Sequence, residues 1–238
     1  MKRFLPPLLV AFLATCYSPA LAQIFVGPKA GINFNSFRNS SEYKNHFDVI
    51  PGFNIGGFAK YPVLPYLNAR AEVLYFMQGA NIYDYRVMND LHRRQAKVRF
   101  HNIQIPVLGE FGLPSLAEDI LQPKVTVGAF YSFTLNAQES YVNAAKLAGR
   151  PEVNFDGSTT VTSQYVRSQL GLIAAIGAEV KVFNFPVAVE FRYQYNLPRI
   201  NKPGTQNQYN LQPTADIWGS ELYLHTLSVN VGVTLYNF

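Results

Sequence analysis

Thiols are almost missing: the only cysteine among 238 residues is Cys16, near the start of the chain. Export with removal of that segment leaves no disulfide and no thiolate metal ligand. Charge is scarce too, with Asp, Glu, Lys and Arg at 15%, where ordinary soluble domains carry about 25%. Such a chain is poorly suited to a surface that meets water everywhere. The formal charge of +5 falls to 5 − 2 = +3 without Lys2 and Arg3, which is too mild to point to nucleic acid. No apolar run reaches the roughly 20 residues of a transmembrane helix, because Pro6, Pro7 and Pro19 interrupt the most apolar stretch. Helical membrane spans are therefore excluded.

What is present begins with an address. Lys2 and Arg3 precede an apolar stretch over residues 5–13 and the small-x-small site Ala20-Leu21-Ala22, the pattern of a secretory signal peptide. Residues 1–22 are expected to be cleaved, and residues 23–238 (238 − 22 = 216) to form one domain. Thr15 directly before Cys16 fits a lipoprotein processing site poorly. Aromatics reach 14% while the mean hydropathy is zero. A β-barrel reconciles the two, since it hides its apolar residues in alternation.

Apolar residues do recur at every second position, the signature of strands. In the first run Ile24, Val26, Ala30, Ile32 and Phe34 oppose Lys29, Gly31, Asn33 and Asn35. Another sets Leu67, Ala69, Ala71, Val73, Tyr75 and Met77 against Asn68, Arg70, Glu72 and Gln78. Similar runs cover 125–135, 170–182, 187–195 and 227–235, and less regular ones 53–61 and 103–111, making eight. Connections alternate as well. They are short at 62–65 and 183–186 and moderate at 114–123, but long and polar over 37–48, 79–96, 138–164 and 198–221. The predicted fold is all-β: a closed antiparallel transmembrane β-barrel of about eight strands, with short periplasmic turns and long extracellular loops.

A soluble ligand-carrying barrel of the lipocalin type has the same alternation. The signal peptide and the loop asymmetry favour the membrane, as does a girdle of Tyr61, Tyr66, Phe111, Phe183, Phe185, Tyr236 and Phe238 at the short-turn end. Strict alternation from Leu235 turns Phe238 inward. Either the last strand carries an irregularity, or the barrel-assembly machinery recognises this terminus more weakly.

Three motifs then carry a family likeness: Gly27-Pro28-Lys29-Ala30-Gly31-Ile32-Asn33, Glu72-Val73-Leu74-Tyr75 through Gln78-Gly79, and His101 through Ile105-Pro106-Val107-Leu108. Together they resemble the PorT-like outer-membrane barrels of the Bacteroidetes, over the whole domain. The resemblance implies an outer-membrane protein of a Gram-negative cell and, for the family's namesake, a part in type IX protein secretion. No single residue carries that part across.

By parity the inward face holds Lys29, Lys60, Arg70, Glu72, Glu110, Lys124, Glu179, Lys181, Glu190 and Arg192. An eight-stranded interior is just wide enough for side chains to fill, so these charges are expected to pair in a packed lumen. A narrow ion-conducting lumen is the alternative. A basic cluster of Arg93, Arg94, Lys97, Arg99 and His101 places its last three members on the outward parity of Ile103 and Ile105. There they either meet lipopolysaccharide phosphates or form a solvated strand extension. His46 with Asp48, and His92 with Asp90, fall in expected outer loops without the spacing of a rim protease or acyltransferase. No catalytic residue, metal ligand or cofactor is assigned. The expected task is non-enzymatic docking or scaffolding in a cell-envelope or secretion assembly, through the outer loops. A small porin and a rim enzyme acting on lipid or protein are the alternatives.

Overall fold

The computed structural model describes residues 24–39, 47–87, 92–116, 120–145, 153–182, 185–202 and 222–237. The expected signal peptide lies outside them. Eleven strands follow in chain order: β1 (Phe25–Asn39), β2 (Phe47–Asp48), β3 (Ile50–Leu64), β4 (Leu67–Val87), β5 (His92–Gly112), β6 (Leu121–Ala145), β7 (Val153–Thr160), β8 (Ser168–Val182), β9 (Phe185–Asn196), β10 (Leu222–Val233) and β11 (Tyr236–Asn237). Eight of them form the wall in the order β1-β3-β4-β5-β6-β8-β9-β10, all neighbours antiparallel. Eleven further pairs, from Lys29↔Gly232 to Asn39↔Leu222, return β10 to β1 and close the barrel. Closure matters because an open edge in hydrocarbon leaves backbone donors and acceptors unsatisfied. Among the described residues no helix is long and apolar enough to cross a membrane.

The apolar parity faces outward. Val107 is 65% exposed, Ile176 64% and Phe191 59%, and side chains of this kind ring the wall, an arrangement that water does not tolerate. A lipocalin-type pocket needs the reverse orientation. On β5 the outward Ile103, Ile105 and Val107 alternate with buried Asn102 and Gln104, but beyond His101 the sense inverts. Lys97 and Arg99 now point out, while Ala96, Val98 and Phe100 are buried. The same reversal separates Ile32 and Phe34 from Ser36 and Arg38 on β1, and Leu227 and Val229 from His225 on β10. At this level the outside solvent changes from hydrocarbon to water.

That inversion corrects the expected loops. Much of 79–96 and 138–164 is strand, since β4 reaches Val87, β5 starts at His92, β6 reaches Ala145 and β7 pairs with it. Apolar inward residues on these extensions give the backbone something to fold against, so pairing continues beyond the band. The last strand does carry an irregularity: continuing the β10 register puts Leu235 opposite Val26, yet Tyr236 stands there. Phe238 lies outside the described residues.

The short turn at residues 65–66 and the outer hairpin of β6 and β7 lie at opposite ends. Val153→Cys, 49% exposed on that hairpin, should therefore react with an impermeant thiol reagent on intact cells, and Tyr66→Cys only once the outer membrane is permeabilised. The opposite labelling would invert the barrel.

Candidate functional site

The lumen is filled in three layers. Nearest the short turns lies the charged one. Arg192 donates from Nη1 and Nη2 to the two oxygens of Glu72, each at 2.9 Å, and Lys29 adds a bond to the same carboxylate at 2.9 Å. Glu190 accepts from Arg192 Nε at 2.6 Å, from Lys29 at 3.1 Å and from Arg70. Arg70 also donates to Glu110 at 2.6 Å, and its Nε lies 3.0 Å from Glu72 without the alignment of a hydrogen bond. Lys124 bridges Glu110 at 3.0 Å and Glu179 at 2.5 Å, and Lys60 reaches Glu179 at 3.2 Å. Seven of the eight wall strands contribute, and each charge of this layer meets an opposite one, as a low-dielectric interior demands.

Lys181 is the exception. It is exposed at the end of β8, opposite Pro186 and two residues beyond Glu179, and makes none of these pairs among the described residues. The inward parity holds, but the position lies past the mouth, where water solvates the ammonium.

Above the charges comes a layer of amides and hydroxyls. Asn54 donates to Asn33 at 2.7 Å and to Asn230 at 2.8 Å, and Asn102 to Gln78 at 2.8 Å. Two bonds cross the lumen outright, from Gln78 on β4 to Thr226 on β10 at 3.1 Å and from Gln104 on β5 to Gln194 on β9 at 3.0 Å. The third layer, at the outer end, is apolar: Phe37, Ile82, Val98, Phe100, Tyr165 and Leu224 are among its buried members. Phe100 meets Tyr165 edge-on with centroids 4.7 Å apart. Ile200 closes over this layer, donating its N–H to Leu222 O at 2.8 Å. The apolar layer was not expected from the sequence, although period-two order continues through Ala96, Val98 and Phe100 with its sense reversed.

The outward basic residues stand where the band ends. Arg99 is exposed and Lys97 and His101 are half-buried; Arg93 and Arg94 lie in β5 opposite Arg86 and Tyr85, their side chains outside the description. Tyr75 Oη sits 2.5 Å from His101 Nδ1, and the same device recurs on the other side, with Tyr193 Oη 2.5 Å from His225 Nδ1. In each pair the tyrosine comes from the wall strand beside the histidine. His46 and Asp90 lie outside the described residues, while Asp48 is exposed in β2 and His92 opens β5. Among the described residues no three His, Cys, Asp or Glu side chains converge as a metal site requires.

The family model described as outer membrane protein beta-barrel domain matches residues 21–201. Neisserial surface protein A is similar in structure at 13% identity and a TM-score of 0.40, with 88% of this chain and 97% of that one covered. OprG of Pseudomonas aeruginosa is similar at 10% identity and a TM-score of 0.44, covering 91% and 96%. Ail, the attachment invasion locus protein of Yersinia pestis, is similar at 11% and 0.37, covering 89% and 98%. No curated protein matches. With the family model spanning well over half of its length, the chain belongs to the outer membrane protein beta-barrel domain family.

Proposed function

We propose that the protein is a non-conducting, non-enzymatic scaffold of the outer membrane that holds partners of a cell-envelope assembly at its outer end. The observation that carries this reading is the filled lumen. Side chains from opposite walls bond across it at Gln104–Gln194, Gln78–Thr226 and Arg192–Glu72, and the apolar layer seals the outer mouth. A porin needs a continuous wet path instead. The likeness of residues 27–33, 72–79 and 101–108 to PorT-like barrels supports type IX-like protein secretion as the setting. Residues 1–22 would supply the export signal, and the barrel-assembly machinery the route into the membrane.

Planar-bilayer recording and mild cross-linking in native membranes together test this reading. The expected result is no steady conductance and a specific co-purifying secretion component. Steady conductance replaces the scaffold with a porin, and a barrel that always purifies alone removes the docking role.

A further inference from the structure

The outward face of β5 has a vertical order. Val107, Ile105 and Ile103 lie in the apolar band; His101 follows at its edge, then Arg99 and Lys97, then Gln95. Beside Lys97 the surface sinks into a depression drawn from β4 to β7 and lined by Asn81, Gln95, Ser140, Tyr141, Val142, Asp156 and Ser158, its surface more apolar than polar. Acyl chains, then phosphate, then sugar is the order in which an outer-leaflet glycolipid meets such a wall.

We propose that this face binds one lipopolysaccharide molecule, its phosphate held by Lys97, Arg99 and His101 and the adjoining sugar seated in the depression. The inference rests on the outer-membrane placement of the band and not on the scaffold role. Arg99 offers a planar fork suited to two phosphate oxygens, and Lys97 a second charge next to the depression. Tyr75 orients the imidazole. Its hydroxyl lies 2.5 Å from Nδ1, which leaves Nε2 of the ring for a second partner. Asp156, at the far side of the depression, suits sugar hydroxyls and repels phosphate, which keeps the ligand in one orientation. Gln95, Ser140 and Ser158 add the amides and hydroxyls that a sugar needs, and the aliphatic residues below face the acyl chains.

The test uses the refolded barrel in phosphatidylcholine nanodiscs containing rough lipopolysaccharide, with the retained glycolipid counted by native mass spectrometry. Both charge-assisted bonds to the phosphate are lost in Lys97→Gln with Arg99→Gln, which is expected to lower retention by about tenfold or more. Arg99→Gln alone should give an intermediate loss, and Lys181→Gln, at the opposite rim, none. Heat-modifiable migration on gels shows separately whether each variant has inserted. If the double variant fails to insert, Arg99→Gln decides. Lipid A stripped of phosphate should be retained weakly and equally by wild type and variants, and inorganic phosphate should not compete at equal concentration. Equal lipopolysaccharide retention by wild type and the inserted variants would overturn the proposal. So would undiminished retention of the dephosphorylated lipid, or displacement by free phosphate at equal concentration.

Discussion

Glu72→Ala is expected to remove about 3–5 kcal/mol from the unfolding free energy of the refolded barrel, read as a fall in the urea midpoint. The Glu72 side chain is 0% exposed and faces Lys29, Arg70 and Arg192. Its loss leaves Lys29 and Arg192 with Glu190 alone, and Arg70 with Glu190 and Glu110. Across the layer the balance moves from five cations and four carboxylates (Lys29, Lys60, Arg70, Lys124 and Arg192 against Glu72, Glu110, Glu179 and Glu190) to five and three. Arg192→Ala acts in the other direction, to four and four, and Lys29 and Arg70 still contact both stranded carboxylates. It should therefore cost less than Glu72→Ala, although arginine is the larger side chain and fills more of the lumen. Packing alone predicts the opposite ranking. Glu72→Gln combined with Arg192→Met should cost less than the two single changes added together, because neither leaves the other's charge stranded. An unchanged midpoint for Glu72→Ala would mean that water reaches the layer, where exposed pairs are worth about 0–1 kcal/mol, and would favour the porin.

The wall was legible because hydrocarbon outside and a crowded polar lumen inside impose one strict alternation. Val125 to Leu135 keeps its apolar outward parity at every step, with only Phe130 apolar on the inner side, and Leu227 to Leu235 alternates without exception. The lumen charges followed from parity alone, from Lys29 to Arg192. What parity lacks is depth: Glu179 and Lys181 share a face, and only the position of the mouth separates a paired carboxylate from a solvated ammonium. The outer extensions misled for a related reason. Asn81, Gln138 and Ser140 are polar on the face that meets water, which reads as loop, while Ala80, Ile82 and Ala137 turn inward to the apolar layer. The Tyr75–His101 and Tyr193–His225 contacts depend on which strands become neighbours and in what register, and no period within one strand reports that. The basic row was visible, but the depression beside it is assembled from four strands and appears only in the fold.

Val231→Arg should impair folding into liposomes severely and Val142→Arg hardly at all. The two valines are nearly equally exposed, at 46% and 44%, and both stand outward on wall strands. Val231 pairs with Ala30 and Val189 in the middle of the band between Leu227 and Leu235. Those eight steps of about 3.3 Å, tilted by about 40°, span roughly 20 Å of membrane. Arg at the midplane of a barrel wall costs about 2–4 kcal/mol and progressively less toward the interfaces. Val127, near the short-turn edge of the band beside Gly109 and Ala174, should give an intermediate loss as Arg. Val142 lies on the β6 extension between Gln95 and Asp156, above the inversion, where a guanidinium stays in water and has a carboxylate across the ladder. Depth is thus the variable that separates three otherwise similar sites. The yield of heat-modifiable barrel after refolding into phosphatidylcholine liposomes should rank Val142→Arg above Val127→Arg above Val231→Arg. A common yield for all three would mean that the exposed apolar ring meets no hydrocarbon, and the membrane placement of the barrel would fall with it.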